Sequence, residues 1–201
     1  RLGYEVTTLE DATCCGQPAW NSGFVPEAAR VAAVTLQAIA RSDADLVCVP
    51  SGSCVTMMRL YWPELFRLSG DDANADLAAG LAGRIREFGE LLAEGDTGPG
   101  SEVSGRFDAR VAYHRSCHMS RELGIVAQPE GLLDGLDGCE RVEWDAGGCC
   151  GFGGTFAVKQ PEISVAMADA KIDSLLDSGA EVLVGCDRSC LIQLEGRLRR
   201  R

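Results

Sequence analysis

The sequence has no apolar run approaching the roughly 18 residues that a membrane-spanning helix needs, so its 201 residues predict no integral membrane segment. It also lacks an excess of positive charge. The net charge of −11 argues against nucleic acid or an anionic membrane surface as the main partner. No Gly-Lys-Ser/Thr sequence follows its glycine-rich stretches, and their spacing is not that of a dinucleotide-binding fingerprint. The sequence therefore argues against an integral membrane protein, a nucleic-acid-binding protein and a P-loop or dinucleotide-binding protein.

Cysteine is the residue that the sequence has in abundance. Its ten cysteines are about 5% of the chain, below the roughly 8–10% typical of small disulfide-stapled secreted domains. A chain of this length buries a core without disulfides, so metal ligation in a reducing compartment accounts best for the thiols. We therefore expect a cytoplasmic, metal-binding protein.

The most informative stretch is Gly-Gly-Cys-Cys-Gly-Phe-Gly-Gly, over residues 147–154. It shows neither helical nor strand periodicity. Two adjacent thiols among glycines suit a metal site, because thiolates are soft ligands and glycine lets backbone N–H groups approach bound sulfur. We expect Gly151 and Gly153 to lie beside the metal ligands in this way. The alternative is a glycine-rich active-site or phosphate-binding loop that happens to contain cysteines.

Cys-Cys-Gly occurs twice, and the residues that follow each copy repeat as well. A Pro-Glu dipeptide begins 11 positions beyond the second cysteine of both pairs. A further cysteine, preceded by serine, lies 39 positions after that second cysteine in the first copy and 40 in the second. The corresponding residues are Cys14, Cys15, Pro26 and Cys54 in one copy and Cys149, Cys150, Pro161 and Cys190 in the other. Chance does not readily preserve this order and spacing, so we infer an internal duplication.

Strands and helices alternate within each copy. In the first, the pattern predicts a strand over 3–8, a helix over 26–41, a buried strand over 46–49 and a helix continuing through Tyr61. In the second, strands over 111–114 and 182–184 flank a helix that begins at Pro161. Between the copies, one amphipathic helix is predicted, followed by an exposed connector over 96–105. The helix rests on the 4-4-3-4 spacing of Leu77, Leu81, Ile85, Phe88 and Leu92.

This alternation predicts an α/β fold of two pseudo-repeated lobes, each with a parallel sheet and with cysteine-bearing loops at the carboxyl ends of its strands. We assign residues 1–70 to a first Cys-Cys-Gly module, 71–106 to a helical connector and 107–201 to a second module. The duplication places a counterpart of Cys117 about 18 positions before Arg1. We therefore expect the first module to be truncated at its N-terminus and the second at its C-terminus.

Four thiols of the second module are expected to converge at that edge of the sheet, namely Cys117, Cys149, Cys150 and Cys190. Four thiolates suit a four-iron cluster or a closed zinc site. Zinc is the weaker option, because zinc knuckles usually use Cys-x-x-Cys pairs and this sequence has none. An equivalent first site, one ligand short, would use Cys14, Cys15 and Cys54.

The remaining candidates receive smaller roles. Cys48 and Cys139 are predicted to be core residues on strands, and Cys186 to be a spare thiol. His118 follows one of the four thiols directly and could ligate iron, donate a hydrogen bond to the cluster or carry a proton. A place beside the metal ligands is the role that we expect. His114, at a strand end, is expected to be a hydrogen-bonded structural residue.

These motifs resemble those of the Cys-Cys-Gly (CCG) cysteine-rich domain class, which includes subunits of heterodisulfide reductase and glycolate oxidase and the lactate-utilisation protein A family. The chain is most similar to the last family, and the similarity covers nearly all of it. The resemblance is carried by Thr13–Gly23, Pro50–Cys54, Tyr113–His118 and Cys149–Phe156. It implies 4Fe-4S clusters on the cysteines named above. It also implies an electron-transfer subunit, not catalytic alone, of a complex that oxidises L-lactate or another 2-hydroxy acid to the keto acid, pyruvate in the case of lactate. Iron–sulfur or flavin-type redox subunits would be its partners.

The wider class ends each module with Cys-x-x-Cys, whereas this sequence has Ser51 and Asp187 at the first of those cysteine positions. Without a fifth thiolate at each site, the resemblance disfavours the disulfide-cleaving cluster of heterodisulfide reductases and favours four-ligand electron-transfer sites. Two alternatives stay open. One is a heterodisulfide- or thiol-reductase subunit, and the other is a zinc-stabilised, non-enzymatic scaffold.

Overall fold

The structure is a computed structural model that describes residues 4–94 and 104–201. We call these two ranges the first and second lobes. Each is built on a small parallel sheet covered by helices, so the predicted α/β class with two parallel sheets is confirmed. Among the described residues, no helix combines the length and apolar character needed to cross a membrane.

The first lobe contains two strands, β1 (Val47–Val49) and β2 (Ile85–Glu87), which pair in parallel. Its helices are α1 (Gln17–Trp20), α2 (Val25–Arg41), α3 (Gly52–Thr56), α4 (Trp62–Leu68), α5 (Asp72–Leu81) and α6 (Phe88–Ala93). A π-helical turn over Met57–Tyr61 joins α3 to α4, and a 3-10 turn over Ala82–Arg84 follows α5.

Helix α2 begins where the sequence predicts. Pro26 fits the first turn, where the N–H that proline lacks has no helical partner, and Glu27 complements the positive end of the helix dipole. One face of α2 is buried in the core of the lobe through Ala28, Ala32, Leu36 and Ile39. In the same core, the buried indole N–H of Trp62 donates a hydrogen bond of 2.8 Å to the carbonyl of Cys15. The core therefore anchors the first Cys-Cys pair directly.

The second lobe contains three parallel strands in the order β4-β3-β5, with β3 (Arg106–His114) between β4 (Asp137–Arg141) and β5 (Val182–Gly185). Its helices are α7 (Cys117–Arg121), α8 (Ala127–Asp134), α9 (Phe156–Lys159), α10 (Pro161–Asp177) and α11 (Arg188–Leu198). The central strand ends in four buried residues, because β4 and β5 flank it and because Leu175 of α10 and Met119 of α7 pack against its side chains.

The two lobes pack against each other through α3 on α7 and α6 on α8. Gly52 allows the first of these contacts, because a Cβ atom at this position would lie only 2.7 Å from the Cβ of Met119. Both α3 and α7 begin immediately beyond the carboxyl end of a strand. Their contact therefore brings the cysteine-bearing edges of the two sheets together.

The single amphipathic helix predicted over residues 77–92 is wrong. Helix α5 ends at Leu81, Ile85 begins strand β2, and α6 starts a new helix at Phe88. Pairing with β1 overrides the helical periodicity, and a capping box formed by Glu87 and Glu90 starts α6. The segment predicted as a helical connector therefore contributes a strand to the first sheet.

Two smaller predictions differ from the structure, and a third falls mostly on residues that the structure does not describe. Residues 4–8 of the predicted first strand form no strand within the described structure. Strand β1 is only half-buried, and the thiol-bearing Cys48 is exposed on it, so its predicted core position is wrong. Most of the connector predicted over 96–105 lies outside the described residues.

Candidate metal centre

The four thiols of the second lobe come from three separate segments at one edge of its sheet. Cys117 opens α7 just beyond β3, and Cys190 lies in the first turn of α11 just beyond β5. Cys149 and Cys150 lie in the loop that leads from β4 to α9. All are free thiols. A parallel sheet collects its carboxyl-end loops in this way, as the sequence predicted.

These four thiols are neighbours in series, Cys117 beside Cys149, Cys149 beside Cys150 and Cys150 beside Cys190. The neighbouring thiols of Cys117 and Cys150, together with the N–H of Gly151, lower the pKa of Cys149. The neighbouring thiol of Cys150 is the largest cause lowering the pKa of Cys190 to about 6. The pKa values of Cys117 and Cys150 are correspondingly raised. Cys149 and Cys190 are therefore the two thiols biased towards thiolate, the form that binds soft metals.

The first lobe holds a smaller set of thiols, in which neighbouring sulfurs again shift each other's pKa values. The sulfur atoms of Cys15 and Cys54 lie 3.4 Å apart. Their hydrogen bond is the largest cause lowering the pKa of Cys54 to about 7, and the Ser51 hydroxyl adds to it. Cys14 is exposed and accepts a hydrogen bond of 3.4 Å from the N–H of Gly16. Cys15 and Cys54 are thus in contact, and Cys14 lies beside Cys15 in the sequence on the exposed side.

The glycine after each Cys-Cys pair has the same conformation, and in both copies its N–H donates a hydrogen bond to the first sulfur of the pair. Gly16 has φ 89° and Gly151 has φ 80°, in the left-handed region that side chains disfavour. A Cβ atom at Gly16 would lie 2.8 Å from the carbonyl oxygen of Ala28, and one at Gly151 would press into that of Ser164. The turn aims the N–H of Gly151 at the sulfur of Cys149, 3.4 Å away, just as Gly16 serves Cys14.

The donor to Cys150 was not predicted. The N–H of Phe152 lies 3.5 Å from the Cys150 sulfur, whereas Gly153 accepts a backbone hydrogen bond from Phe156 in a tight turn. A Cβ atom at Gly153 would lie 2.9 Å from that of Phe156, so glycine is needed there for space. The glycine run therefore shapes the loop, and only part of it points N–H groups at sulfur.

The structure places the two histidines in different surroundings. The ring of His118 points to Glu122, with 2.8 Å between Nδ1 and a carboxylate oxygen, and it is the backbone N–H of His118 that faces the Cys117 thiol. His114 is buried at 1% exposure, and both of its ring nitrogens lack a hydrogen-bond partner among the described residues. The expectation of a hydrogen-bonded structural His114 is therefore wrong.

His114 lies inside the candidate site. A ring nitrogen of His114 and the sulfur atoms of Cys150 and Cys190 lie within 4.8 Å of one another. This histidine is the last residue of the central strand and sits three positions before Cys117. This placement in the sequence could have indicated that His114 belongs to the site, because a residue that ends a buried strand at the carboxyl edge of the sheet lies beside the loops that carry the thiols.

Two side chains clamp the loops that carry the Cys-Cys pairs, and sequence reasoning missed both. Thr35 on α2 accepts a hydrogen bond of 2.9 Å from the N–H of Thr13. On α10, one position further along the repeat, the buried Lys171 donates to the carbonyls of Asp145 (2.5 Å) and Ala146 (3.2 Å). Burial lowers the pKa of Lys171. The internal duplication thus extends to the supports of the thiols, with a change of chemistry between copies.

Asp187 and Ser51, which replace the additional cysteines of the wider class, contact each other across the two lobes. One carboxylate oxygen of Asp187 accepts hydrogen bonds from the hydroxyls of Ser51 (2.8 Å) and Ser53 (2.7 Å) and from the N–H of Ser53 (3.2 Å). Asp187 is 2% exposed, immediately precedes α11 without capping it through its side chain, and lies near both Cys54 and Cys190. A single buried carboxylate therefore connects the two sets of thiols.

The other cysteines lie apart from these sets. Cys186 places its sulfur 3.2 Å from the Tyr113 hydroxyl, and Glu87 is also close to it. Cys139 is half-buried on β4, and Cys48 is exposed on β1.

Comparisons with known proteins agree with the motifs and the geometry. The CCG family, described as a cysteine-rich domain, matches residues 1–59 and 111–195. Lactate utilization protein A of an Exiguobacterium species is 46% identical over 98% of this chain and 79% of its own length. The proteins of the same name from Macrococcus caseolyticus and Bacillus subtilis are 43% and 40% identical over the whole chain and 80% and 82% of their lengths. The chain therefore belongs to the CCG cysteine-rich domain family, together with the lactate utilization protein A relatives.

Proposed function

We propose that this protein is an iron–sulfur electron carrier of a cytoplasmic system that oxidises L-lactate to pyruvate. The convergence of Cys117, Cys149, Cys150 and Cys190 carries the proposal. The names of the relatives support lactate as the substrate of the system.

The residues present fit a four-iron cluster. Four thiols from three segments lie close to one another, and two of them, Cys149 and Cys190, have lowered pKa values that favour the thiolate form. The backbone N–H groups of Gly151 and Phe152 face these sulfurs, as such groups do around protein-bound clusters. We propose that these four cysteines hold one 4Fe-4S cluster and that Cys14, Cys15 and Cys54 contribute to a second.

A bound cluster accepts and donates single electrons, whereas oxidation of lactate to pyruvate releases two electrons and two protons. The substrate chemistry therefore belongs with a partner subunit able to take both electrons, such as one carrying a flavin. The role of this chain is to hold its clusters in the fold, exclude water from the buried sulfurs of Cys15 and Cys150, and pass electrons between partners.

Metal analysis tests this proposal. We expect anaerobically purified protein to be brown, with near-equal amounts of iron and acid-labile sulfide. Cys150→Ser should lose most of the iron held by the second lobe, because Cys150 lies between Cys149 and Cys190. The matched control is Cys48→Ser, an equivalent change at an exposed thiol on β1, which should keep the wild-type iron content. Colourless protein without iron would overturn the proposal.

A zinc-stabilised scaffold is the second candidate, favoured by the group of His114, Cys150 and Cys190, whose donor atoms suit zinc. It predicts stoichiometric zinc, unfolding on addition of a chelator, and no electron paramagnetic resonance (EPR) signal after reduction. The same metal analysis separates the two candidates.

A further inference from the structure

The unpaired imidazole of His114 is the feature that the proposed function leaves without a role. Buried polar groups are almost always hydrogen-bonded, and both nitrogens of this ring lack a partner among the described residues although the residue is 1% exposed. The sulfurs of Cys150 and Cys190 lie within 4.8 Å of the ring. The ring is thus positioned to interact with whatever these sulfurs bind.

The surroundings hold the ring in this position. His114 pairs with Gly185 across β3 and β5, and a Cβ atom at Gly185 would lie 3.3 Å from that of His114, so glycine leaves the space that the histidine side chain fills. Trp144 meets the imidazole edge-on, with 6.3 Å between ring centroids. Trp144 is itself fixed, because its indole N–H donates to the Tyr113 carbonyl at 3.0 Å and Lys171 lies 4.3 Å from its ring centroid.

The ring could bind iron directly or donate a hydrogen bond to a cysteine sulfur, and the number of cysteines present decides between these two roles. Four cysteines already supply one ligand for each iron of a four-iron cluster, which leaves His114 as a fifth group beside a complete set. An imidazole N–H next to a cysteine sulfur then acts as a hydrogen-bond donor. Donation to sulfur stabilises the added negative charge of the reduced cluster and raises its reduction potential.

We propose that His114 is a positioning residue that donates an N–H hydrogen bond to the sulfur of Cys150 or Cys190 and thereby raises the reduction potential of the cluster in the second lobe. This inference rests on the proposed function. Cys150 and Cys190 are the candidate acceptors, because their sulfurs lie within 4.8 Å of a ring nitrogen of His114.

Reduction potentials of three variants test the proposal. The EPR signal of the second-lobe cluster is identified as the one that Cys150→Ser abolishes, and its midpoint is then measured by redox titration. His114→Leu, which removes the donor, should keep its iron and shift the midpoint to lower potential. His114→Gln, which keeps an N–H donor, should shift it less. The control is His118→Gln, since the ring of His118 faces Glu122, and its midpoint should equal that of the wild type.

A second measurement does not depend on how well the His114 variants fold. The chain has two histidines, so His118→Gln labelled with 15N-histidine reports on His114 alone. Pulsed EPR of its reduced cluster should show a weak nitrogen coupling, as expected for a hydrogen bond. A strong coupling typical of an iron-bound nitrogen, or loss of iron from folded His114→Gln, would assign His114 as a ligand and overturn the donor role. No coupling, or an unchanged midpoint in iron-loaded His114→Leu, would also overturn it. Wild-type protein without a cluster would instead contradict the proposed function itself.

Discussion

Gly16 and Gly151 show at the scale of single residues why the Cys-Cys-Gly sequence occurs twice. Each turns the chain through a positive φ, and each lies so close to a carbonyl oxygen of a helix, α2 for Gly16 and α10 for Gly151, that no side chain fits. The glycine is therefore required twice over, by conformation and by space. The same turn places an N–H beside the first sulfur of each pair.

Substitution of Gly151 tests this requirement. Gly151→Ala combines left-handed strain of about 1–2 kcal/mol with a clash against the Ser164 carbonyl, so its loss of unfolding free energy should exceed that strain alone. Gly154→Ala is the matched control, because Gly154 also has a positive φ, of 63°, but faces open space. Urea unfolding should therefore rank wild type above Gly154→Ala and Gly154→Ala above Gly151→Ala. Equal losses in the two variants would show that the close approach to Ser164 does not matter.

At this scale the sequence indicated where the cysteines gather but not where the histidines point. Thiols repeated at one unusual spacing indicate a shared site, and the edge to which parallel strands bring them follows from topology. His114 and His118 are single residues whose roles depend on the direction of a side chain. Direction at a strand end depends on neighbours such as Gly185 and Trp144, which lie far away in the sequence.

At the scale of elements, strand β2 is the largest surprise. Residues 77–92 have the apolar spacing of a helix, yet Ile85 to Glu87 pair with β1. Periodicity describes only which residues are apolar, and a short buried strand such as β2 uses the same residues. The capping box at Glu87 and Glu90 was the local signal that a new helix begins there.

Glu87 makes the free energy of unfolding depend on pH. Its side chain is fully buried, one oxygen caps α6, the other lacks a partner among the described residues, and burial raises the pKa of the carboxyl. A raised carboxyl pKa means that the native state disfavours the charged form, so the destabilisation is present at neutral pH and disappears as the pH falls below the raised pKa. Glu87→Gln should therefore stabilise the protein at pH 7, by on the order of 1–2 kcal/mol.

Urea unfolding at neutral and acidic pH measures this effect. The advantage of Glu87→Gln should shrink at acidic pH, where wild-type Glu87 is protonated. Glu5→Gln, at an exposed position, serves as the control and should have little effect at either pH. An advantage of Glu87→Gln that grows on acidification would show that the carboxylate is stabilised in the fold instead.

At the scale of the whole molecule, the two lobes meet where their thiols lie. The sequence predicted the two parallel sheets and the edge at which the cysteines gather, because duplication and alternation are visible in one dimension. It did not predict how the lobes face each other. That arrangement depends on contacts such as Gly52 with Met119 and on the hydrogen bonds between Ser51 and Asp187, which join residues more than 60 positions apart.

The contact between Ser51 and Asp187 gives a prediction at this scale. Asp187→Ala removes the acceptor of three hydrogen bonds between the lobes and should lower the unfolding free energy by about 1–3 kcal/mol. A double-mutant cycle with Ser51→Ala should give a coupling energy of about 0.5–3 kcal/mol. Strictly additive effects of the two changes would mean that this hydrogen bond does not hold the lobes together.

The most direct test of the account is to locate the metal itself. Anomalous X-ray diffraction at the iron absorption edge, on crystals of anaerobically prepared protein, reveals where iron lies in the fold. We predict a cluster of iron atoms bonded to the sulfurs of Cys117, Cys149, Cys150 and Cys190, with His114 beside it. A single zinc ion between Cys150, Cys190 and His114, or iron bound elsewhere, would contradict it.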